Sequence, residues 1–242
     1  PARLAECRGV KGCWEHAVTA IKALNKNRRP VQVNSTETPQ NYDEVDDIMS
    51  LAEDLGVDNF HLFFLVPTGR GTDIQDITPR MYEDMIKSTL AKTTKYRLNV
   101  KPSCAPQFMR VAKEQGVDMS RWVRGCMAGL YYCRIYPSGA VTPCPYMPLN
   151  LGNIRERSFR DIWFNSEVFK ALRDFDQLKG KCGVCEYRDV CGGCRARAYG
   201  VTTDLMDFCG ALHEPTESRG DYLAEDPWCV YQPRTSSRKE KQ

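Results

Sequence analysis

No run in the 242 residues approaches the roughly 18 apolar positions that a membrane-spanning helix needs. The opening Pro1-Ala-Arg-Leu-Ala-Glu has no apolar stretch behind it of the kind that marks a secretory leader. The net charge is only +3 and, outside a terminal Arg234-Thr-Ser-Ser-Arg-Lys-Glu-Lys-Gln tail, basic residues are scattered rather than striped. Nucleic acid and membrane are therefore not expected as partners. Cysteine is scarce for a disulfide scaffold, with twelve in 242 residues against the roughly 8–10% typical of that class, and a chain this long buries a core without staples. A cytoplasmic protein with metal-bound or free thiols is the expectation.

Those cysteines are not evenly spread. Six fall between Gly180 and Cys229, and four of them form one run, Cys182-Gly-Val-Cys185-Glu-Tyr-Arg-Asp-Val-Cys191-Gly-Gly-Cys194. Two Cys-x2-Cys pairs in a glycine-rich segment bring four sulfurs within reach of an inorganic centre. Alone, the run suits a tetrahedral zinc site as well as an iron–sulfur cluster.

The first ~115 residues alternate helix and strand signals, the pattern of βα units in a parallel sheet or barrel. Trp14, Ala17, Val18, Ile21 and Leu24 recur at helical spacing, and Val31 to Glu37 reads as a strand. Asn41 is the expected cap of a helix carrying Val45, Ile48, Ala52 and Leu55, which Gly56 ends. The apolar run Phe60 to Val66 reads as a strand buried on both faces. A helix from about Thr78 to Lys92, a strand from Tyr96 to Lys101 and a helix from about Ala105 to Gln115 follow. Three strands are few beside the eight of a closed barrel. The chain also starts at Pro1 rather than methionine, so the domain reads as incomplete on its N-terminal side.

From Trp122 the composition turns to cysteine, glycine, proline and aromatics, which places a boundary near Ser120. Three regions are expected: an α/β part over 1–120, a small cysteine-rich domain over 121–232, and a disordered basic tail over 233–242. In the second, Pro137-Ser-Gly139 turns a hairpin whose strands carry Cys133 and Cys144, and Ser158 caps a short helix. A further helix runs from Glu167 to Arg173.

Cys126 followed by twelve residues and Gly139, then Gly139-Ala-Val-Thr-Pro-Cys144, the paired run, and Cys229 in Asp226-Pro-Trp-Cys together form one frame. This frame resembles the SPASM extension of radical SAM enzymes. One departure is that two residues, not three, separate Cys191 from Cys194. Phe63-Phe-Leu-Val-Pro-Thr-Gly-Arg70, Leu151-Gly-Asn-Ile-Arg, Cys191-Gly-Gly-Cys-Arg-Ala-Arg-Ala198 and Leu223-Ala-Glu-Asp-Pro-Trp-Cys229 are similar to the radical SAM enzymes of d1-type haem and sirohaem-derived haem biosynthesis. The resemblance implies a partial (β/α) radical SAM barrel followed by a SPASM domain, two auxiliary clusters of the 4Fe–4S type, a tetrapyrrole substrate and a ferredoxin or flavodoxin as electron donor. It implies Cys126, Cys133, Cys144 and Cys194 as ligands of one cluster and Cys182, Cys185, Cys191 and Cys229 as ligands of the other. It also implies S-adenosylmethionine and a third 4Fe–4S cluster in the full-length enzyme. These residues contain no Cys-x3-Cys-x2-Cys triplet to hold that third cluster, so the chain alone is expected to be inactive.

Peptide-modifying relatives share the cysteine frame, so a peptide substrate is an alternative. A non-catalytic zinc or iron–sulfur binding module is another. Pro67, Gly69 and Arg70, at the end of a predicted strand, are candidates for an adenosyl pocket or substrate mouth. Arg195 and Arg197 are candidates for offsetting cluster charge or pairing with substrate carboxylates, against an ordinary role as surface arginines. Cys7, Cys13 and Cys104 read as small apolar residues, His16 and His61 as core or surface histidines, and Trp163 and Trp228 as packing residues. Cys209 and His213 fall in Thr202 to Arg219, which reads as an inserted surface loop.

Overall fold

The computed structural model describes residues 2–66, 76–202 and 220–234. Helix α1 (Ala2–Arg8) and helix α2 (Cys13–Lys26) lead into strand β1 (Gln32–Glu37), helix α3 (Val45–Asp54), strand β2 (Asn59–Phe64), helix α4 (Pro79–Ala91), strand β3 (Asn99–Ser103) and helix α5 (Phe108–Gln115). The strands form one parallel sheet in the order β1-β2-β3, with Asn34 level with His61 and His61 level with Lys101. Each crossover carries a helix, as parallel neighbours require.

The capping chemistry sets several boundaries. Thr78 accepts from the Met81 N–H at 3.2 Å and Pro79 follows at the first helical position, so α4 starts there. Gly56 adopts φ 72° and ends the turn after α3. Asn41 departs from expectation. Its side chain caps no helix; Oδ1 accepts from the Thr38 N–H at 2.8 Å and Nδ2 donates to the Thr36 carbonyl at 3.0 Å, folding the turn ahead of a short 3-10 segment. Strand β3 begins three residues later than expected.

Strand β2 also differs from the sequence expectation. Phe60, Leu62 and Phe64 are buried, whereas Asn59, His61 and Phe63 are only half-buried. Helices α3, α4 and α5 supply Met49, Ala52, Tyr82, Ile86, Phe108 and Val111 to a core on that first face. The alternation sends Asn34, Thr36, His61, Phe63, Lys101 and Ser103 to the opposite, mostly polar face. The apolar run is thus buried on one face. Helix α2 forms where its periodicity predicts, but none of its residues is fully buried and only Ile21 leans on the core.

The cysteine-rich part folds around a second core. Strands β4 (Arg134–Ile135) and β5 (Val141–Thr142) pair antiparallel, and helices α6 (Phe159–Asn165), α7 (Glu167–Arg173), α8 (Gly180–Val184) and α9 (Arg195–Val201) follow. Ser158 accepts from the Asp161 N–H at 3.1 Å and starts α6. Val141, Met147, Leu151, Ile162, Phe169, Leu172 and Tyr199 fill this core. Trp163 packs on Phe169, with ring centroids 4.8 Å apart, and Trp228 donates to the Ile77 carbonyl at 3.1 Å, so both are packing residues.

Glu37 is fully buried at the C-terminal end of β1, and no hydrogen bond of ordinary geometry reaches its carboxylate oxygens among the described residues. Burial pushes its pKa up to about 7, with the neighbouring Ser35 hydroxyl acting in the opposite direction. The folded state therefore holds a proton that the unfolded chain releases near pH 4.3. The resulting stability is complete below that value and is lost as pH rises through about 7. Glu37→Gln removes this dependence. In denaturant unfolding, the stability of the variant relative to wild type is expected to rise by about 3 kcal/mol between pH 4 and pH 8; an unchanged difference overturns the assignment.

Candidate metal centres

Four thiols, those of Cys182, Cys185, Cys191 and Cys229, line one cavity together with Gln107 and Arg110. Helix α8 carries Cys182, and the turn after it delivers Cys185. The C-terminal segment returns to bring Cys229 alongside, held where Lys181 Nζ donates to the Cys229 carbonyl at 2.8 Å and the Lys181 N–H donates to Glu225 at 2.7 Å. Tyr231 closes one side by donating to Glu186 at 2.5 Å, with the Arg110 guanidinium 4.7 Å from its ring centre.

Backbone groups are aimed at the sulfurs. The N–H of Tyr187 points to Cys185 Sγ at 3.5 Å, that of Gly193 to Cys191 Sγ at 3.5 Å, and that of Asp226 to Cys182 Sγ at 3.4 Å. The Arg195 guanidinium donates to Cys182 Sγ at 3.5 Å. Such donors stabilise thiolate charge and tune whatever the thiolates ligate. Burial pushes the Cys229 thiol up to about 12 and also raises Cys182, Cys185 and Cys191. Without a cation these sulfurs keep their protons; a metal displaces them.

Cys194 goes elsewhere. Gly192 and Gly193 both adopt left-handed backbone, φ 74° and 62°. A Cβ on Gly193 would come within 2.9 Å of Cys182 Sγ and 2.9 Å of the Asp226 Cβ. The glycine pair therefore turns the chain sharply inside a crowded site, leaving Cys191 at the cavity and Cys194 against the second core. Cys194 lies within electrostatic reach of Cys126 and Cys104, and Cys144 within reach of Cys104, Cys194 and Cys126. Cys133 packs on the same core, and burial alone raises its thiol. Among the described residues, no three His, Cys, Asp or Glu side chains converge as on a single metal ion.

Arg195 and Arg197 are not surface residues. Arg195 is 4% exposed and donates to the Tyr222 and Ala224 carbonyls at 3.0 and 2.7 Å. Arg197 is 2% exposed and donates to the Cys104 and Leu65 carbonyls at 2.7 and 2.5 Å and to the Tyr82 hydroxyl at 3.0 Å. Their guanidinium groups thus serve carbonyls of the chain's own backbone. Cys104 packs against the second core, as Cys133 and Cys144 do, in keeping with its reading as a small apolar residue. Pro67, Gly69, Arg70, Cys209 and His213 lie outside the described residues.

Sequence reasoning passed over Gln107, Arg110 and Asp226. Asp226 is fully buried and accepts from the Cys194 N–H at 2.6 Å, the Gln107 amide at 2.7 Å and the Trp228 N–H at 3.0 Å. It links a residue of each thiol group. Its place three residues before Cys229 was the available signal.

This combination of a parallel α/β sheet and a hairpin-led, cysteine-rich domain has known counterparts. Residues 126–195 match the family model of the SPASM iron–sulfur cluster-binding domain. Over 237 residues, 93% of the chain, it is 39% identical to an AdoMet-dependent heme synthase of Methanosarcina barkeri. Over 246 residues it is 27% identical to a pre-heme d1 synthase of Dinoroseobacter shibae. The chain spans 63% of the length of the first relative and 57% of the second. Its fold is shared with Streptococcus suis SuiB bound to S-adenosylmethionine, at TM-score 0.61 and 17% identity, covering 90% of this chain and 49% of that one.

Asp226→Ala leaves the Cys194 N–H and the Gln107 amide without their buried acceptor. The expected cost is about 3 kcal/mol of folding stability, read from the urea midpoint; a loss under about 0.5 kcal/mol, the range of an unremarkable surface site, contradicts this role.

Proposed function

We propose that the chain is part of a radical SAM/SPASM enzyme of tetrapyrrole biosynthesis, acting in haem or d1-type haem formation and binding two auxiliary iron–sulfur clusters. The observation that carries this reading is the pairing of 39% identity to a heme synthase across nearly the whole chain with four thiols around one cavity. In this reading Cys182, Cys185, Cys191 and Cys229 ligate one 4Fe–4S cluster. The motif scheme assigns the other to Cys126, Cys133, Cys144 and Cys194. The residues fit such a group chemically: thiols are the usual cluster ligands, N–H groups face the sulfurs, and Arg110 and Arg195 offset thiolate charge.

When bound, such clusters supply one-electron transfer. The chain's own part is to keep the sulfurs dry, to orient them through the Asp226 and Arg195 contacts, and to hold the cysteine-rich domain against the sheet through Arg197. The division into an α/β part over 1–120, a SPASM part over 121–232 and a tail belongs to the same proposal. S-adenosylmethionine, a third cluster and a ferredoxin- or flavodoxin-type donor are assigned to the full-length enzyme, in the cytoplasm. The polar sheet face with His61, Lys101 and Ser103 suits the acidic side chains of a tetrapyrrole. Burial and Lys101 both lower the His61 pKa, so at neutral pH its ring is a neutral donor and acceptor and Lys101 supplies the charge.

Anaerobic reconstitution with iron and sulfide tests the reading. Wild type is expected to hold about eight irons per chain with visible charge-transfer absorbance, and Cys185→Ala about four. Uptake of about one zinc and no such absorbance would sink it, and failure of the full-length protein to bind sirohaem-type tetrapyrroles would remove the substrate assignment.

A further inference from the structure

Arg124 carries a buried guanidinium, 5% exposed, that the cysteine motif does not include. We propose that it is a positioning residue shared by the two thiol groups, a fixed cation that sets the reduction potentials of the centres they hold. The inference rests on the iron–sulfur reading above and adds to it a residue that ligates nothing.

Its backbone lies between the groups. Arg124 stands two residues before Cys126, assigned to one group, and the Cys126 N–H donates to the carbonyl of Cys191, assigned to the other, at 3.3 Å. The Gly125 N–H donates to the Val190 carbonyl at 2.8 Å. Residues 124–126 therefore lie alongside the paired-cysteine run, and one peptide hydrogen bond joins a proposed ligand of each group. A Cβ on Gly125 would come within 2.6 Å of the Pro106 carbonyl oxygen, so the same segment is wedged against the chain that follows β3.

The guanidinium is seated from three directions. Its Nη atoms donate to the carbonyls of Arg188, at 2.9 Å, and of Asp189, and its Cζ lies 3.6 Å from the centre of the Phe175 ring. Gly192 closes the third side, because a Cβ there would overlap Arg124 Nη2. Gly192 is half of the link between Cys191 and Cys194, so the cation packs on the link that joins the two groups.

No carboxylate pairs with that charge. Arg110, also buried, forms ion pairs with Glu83 at 2.5 Å and with Glu114 at 2.6 Å. Around Arg124, Asp176 and Asp189 pair instead with Arg188, at 2.6 and 3.6 Å. The buried Arg124 Nε–H meets no acceptor among the described residues. An unpaired buried cation is costly, and a buried donor without an acceptor is rare, so the site is built for negative charge that its carboxylates do not supply. Thiolate-ligated iron supplies it. One-electron reduction by the ferredoxin- or flavodoxin-type donor adds one negative charge there and no proton. In a dry interior a cation alongside lowers the cost of that charge, and the reduction potential rises.

The experiment titrates Arg124→Gln and Arg124→Lys, each in the full chain after anaerobic reconstitution, reading iron per chain and the midpoint potential of each EPR signal against wild type. Glutamine keeps a donor for the carbonyls and loses the charge, whereas lysine keeps the charge. The expected result is full iron in both variants. Both midpoints fall by about 59 mV in Arg124→Gln, a tenfold change in the one-electron equilibrium, and by less than half as much in Arg124→Lys. Full iron with unmoved midpoints in Arg124→Gln overturns the proposal, as does a shift of one signal alone or an equal shift in Arg124→Lys. If Arg124→Gln takes up no iron, Arg124→Lys decides: full iron with midpoints near wild type upholds the proposal, and loss of iron or a tenfold shift overturns it. No iron in wild type removes the iron–sulfur reading and this inference with it; iron in wild type with unmoved midpoints in Arg124→Gln removes the inference alone.

Discussion

Three donors converge on the buried carboxylate of Asp226: the Cys194 N–H, the Gln107 amide and the Trp228 N–H. Its own N–H is directed at Cys182 Sγ. Residues from the sheet region, from the paired-cysteine run and from the C-terminal segment thus meet at one side chain. The network continues through Gln107 to the Tyr82 hydroxyl and from there to Arg197. A buried carboxylate and a buried guanidinium are costly to desolvate, and the cost is met only because every partner is in place together. Placement of the thiols therefore depends on the whole network, and the C-terminal return that carries Cys229 is as much a part of the fold as any helix.

Much of this was legible in the sequence, for definable reasons. Thr78, Ser158 and Gly56 act through local backbone chemistry, so a single residue announces a helix boundary. The cysteine spacing limits where sulfurs can go because the segments between them are short. The partition of Cys191 and Cys194 also has a local cause, in two glycines that reverse the chain. Other features depend on long-range packing that spacing does not encode. Asp226 lies 32 positions from Cys194, and Gln107 lies 119 positions from Asp226. Arg197 reads as an exposed helix position until the sheet it tethers is present. Cys104 reads as a small apolar residue, and only the folded chain sets its carbonyl against Arg197.

The misreading of β2 has a physical origin as well. Phe60 to Val66 is apolar throughout in composition except for His61, and continuous apolar runs usually mean helices on both faces. Among the described residues helices cover one face alone, and the decisive residues are on the neighbouring strands. Asn34 and Lys101, level with His61, make the second face polar even though β2 itself contributes Phe63. The function of a sheet face is set by rows across strands, which no single segment displays.

The glycine pair between Cys191 and Cys194 has a consequence for charge. Three residues of extended chain span at most about 10 Å, so the two thiol groups cannot drift apart however the two halves of the molecule breathe. At such separations in a dry interior, charges interact strongly. Were each thiol group to hold a redox centre, as proposed above, an electron on one would raise the energy of placing a second on the other, and the two would titrate as a coupled pair. The two-glycine link would then set how closely the two are coupled.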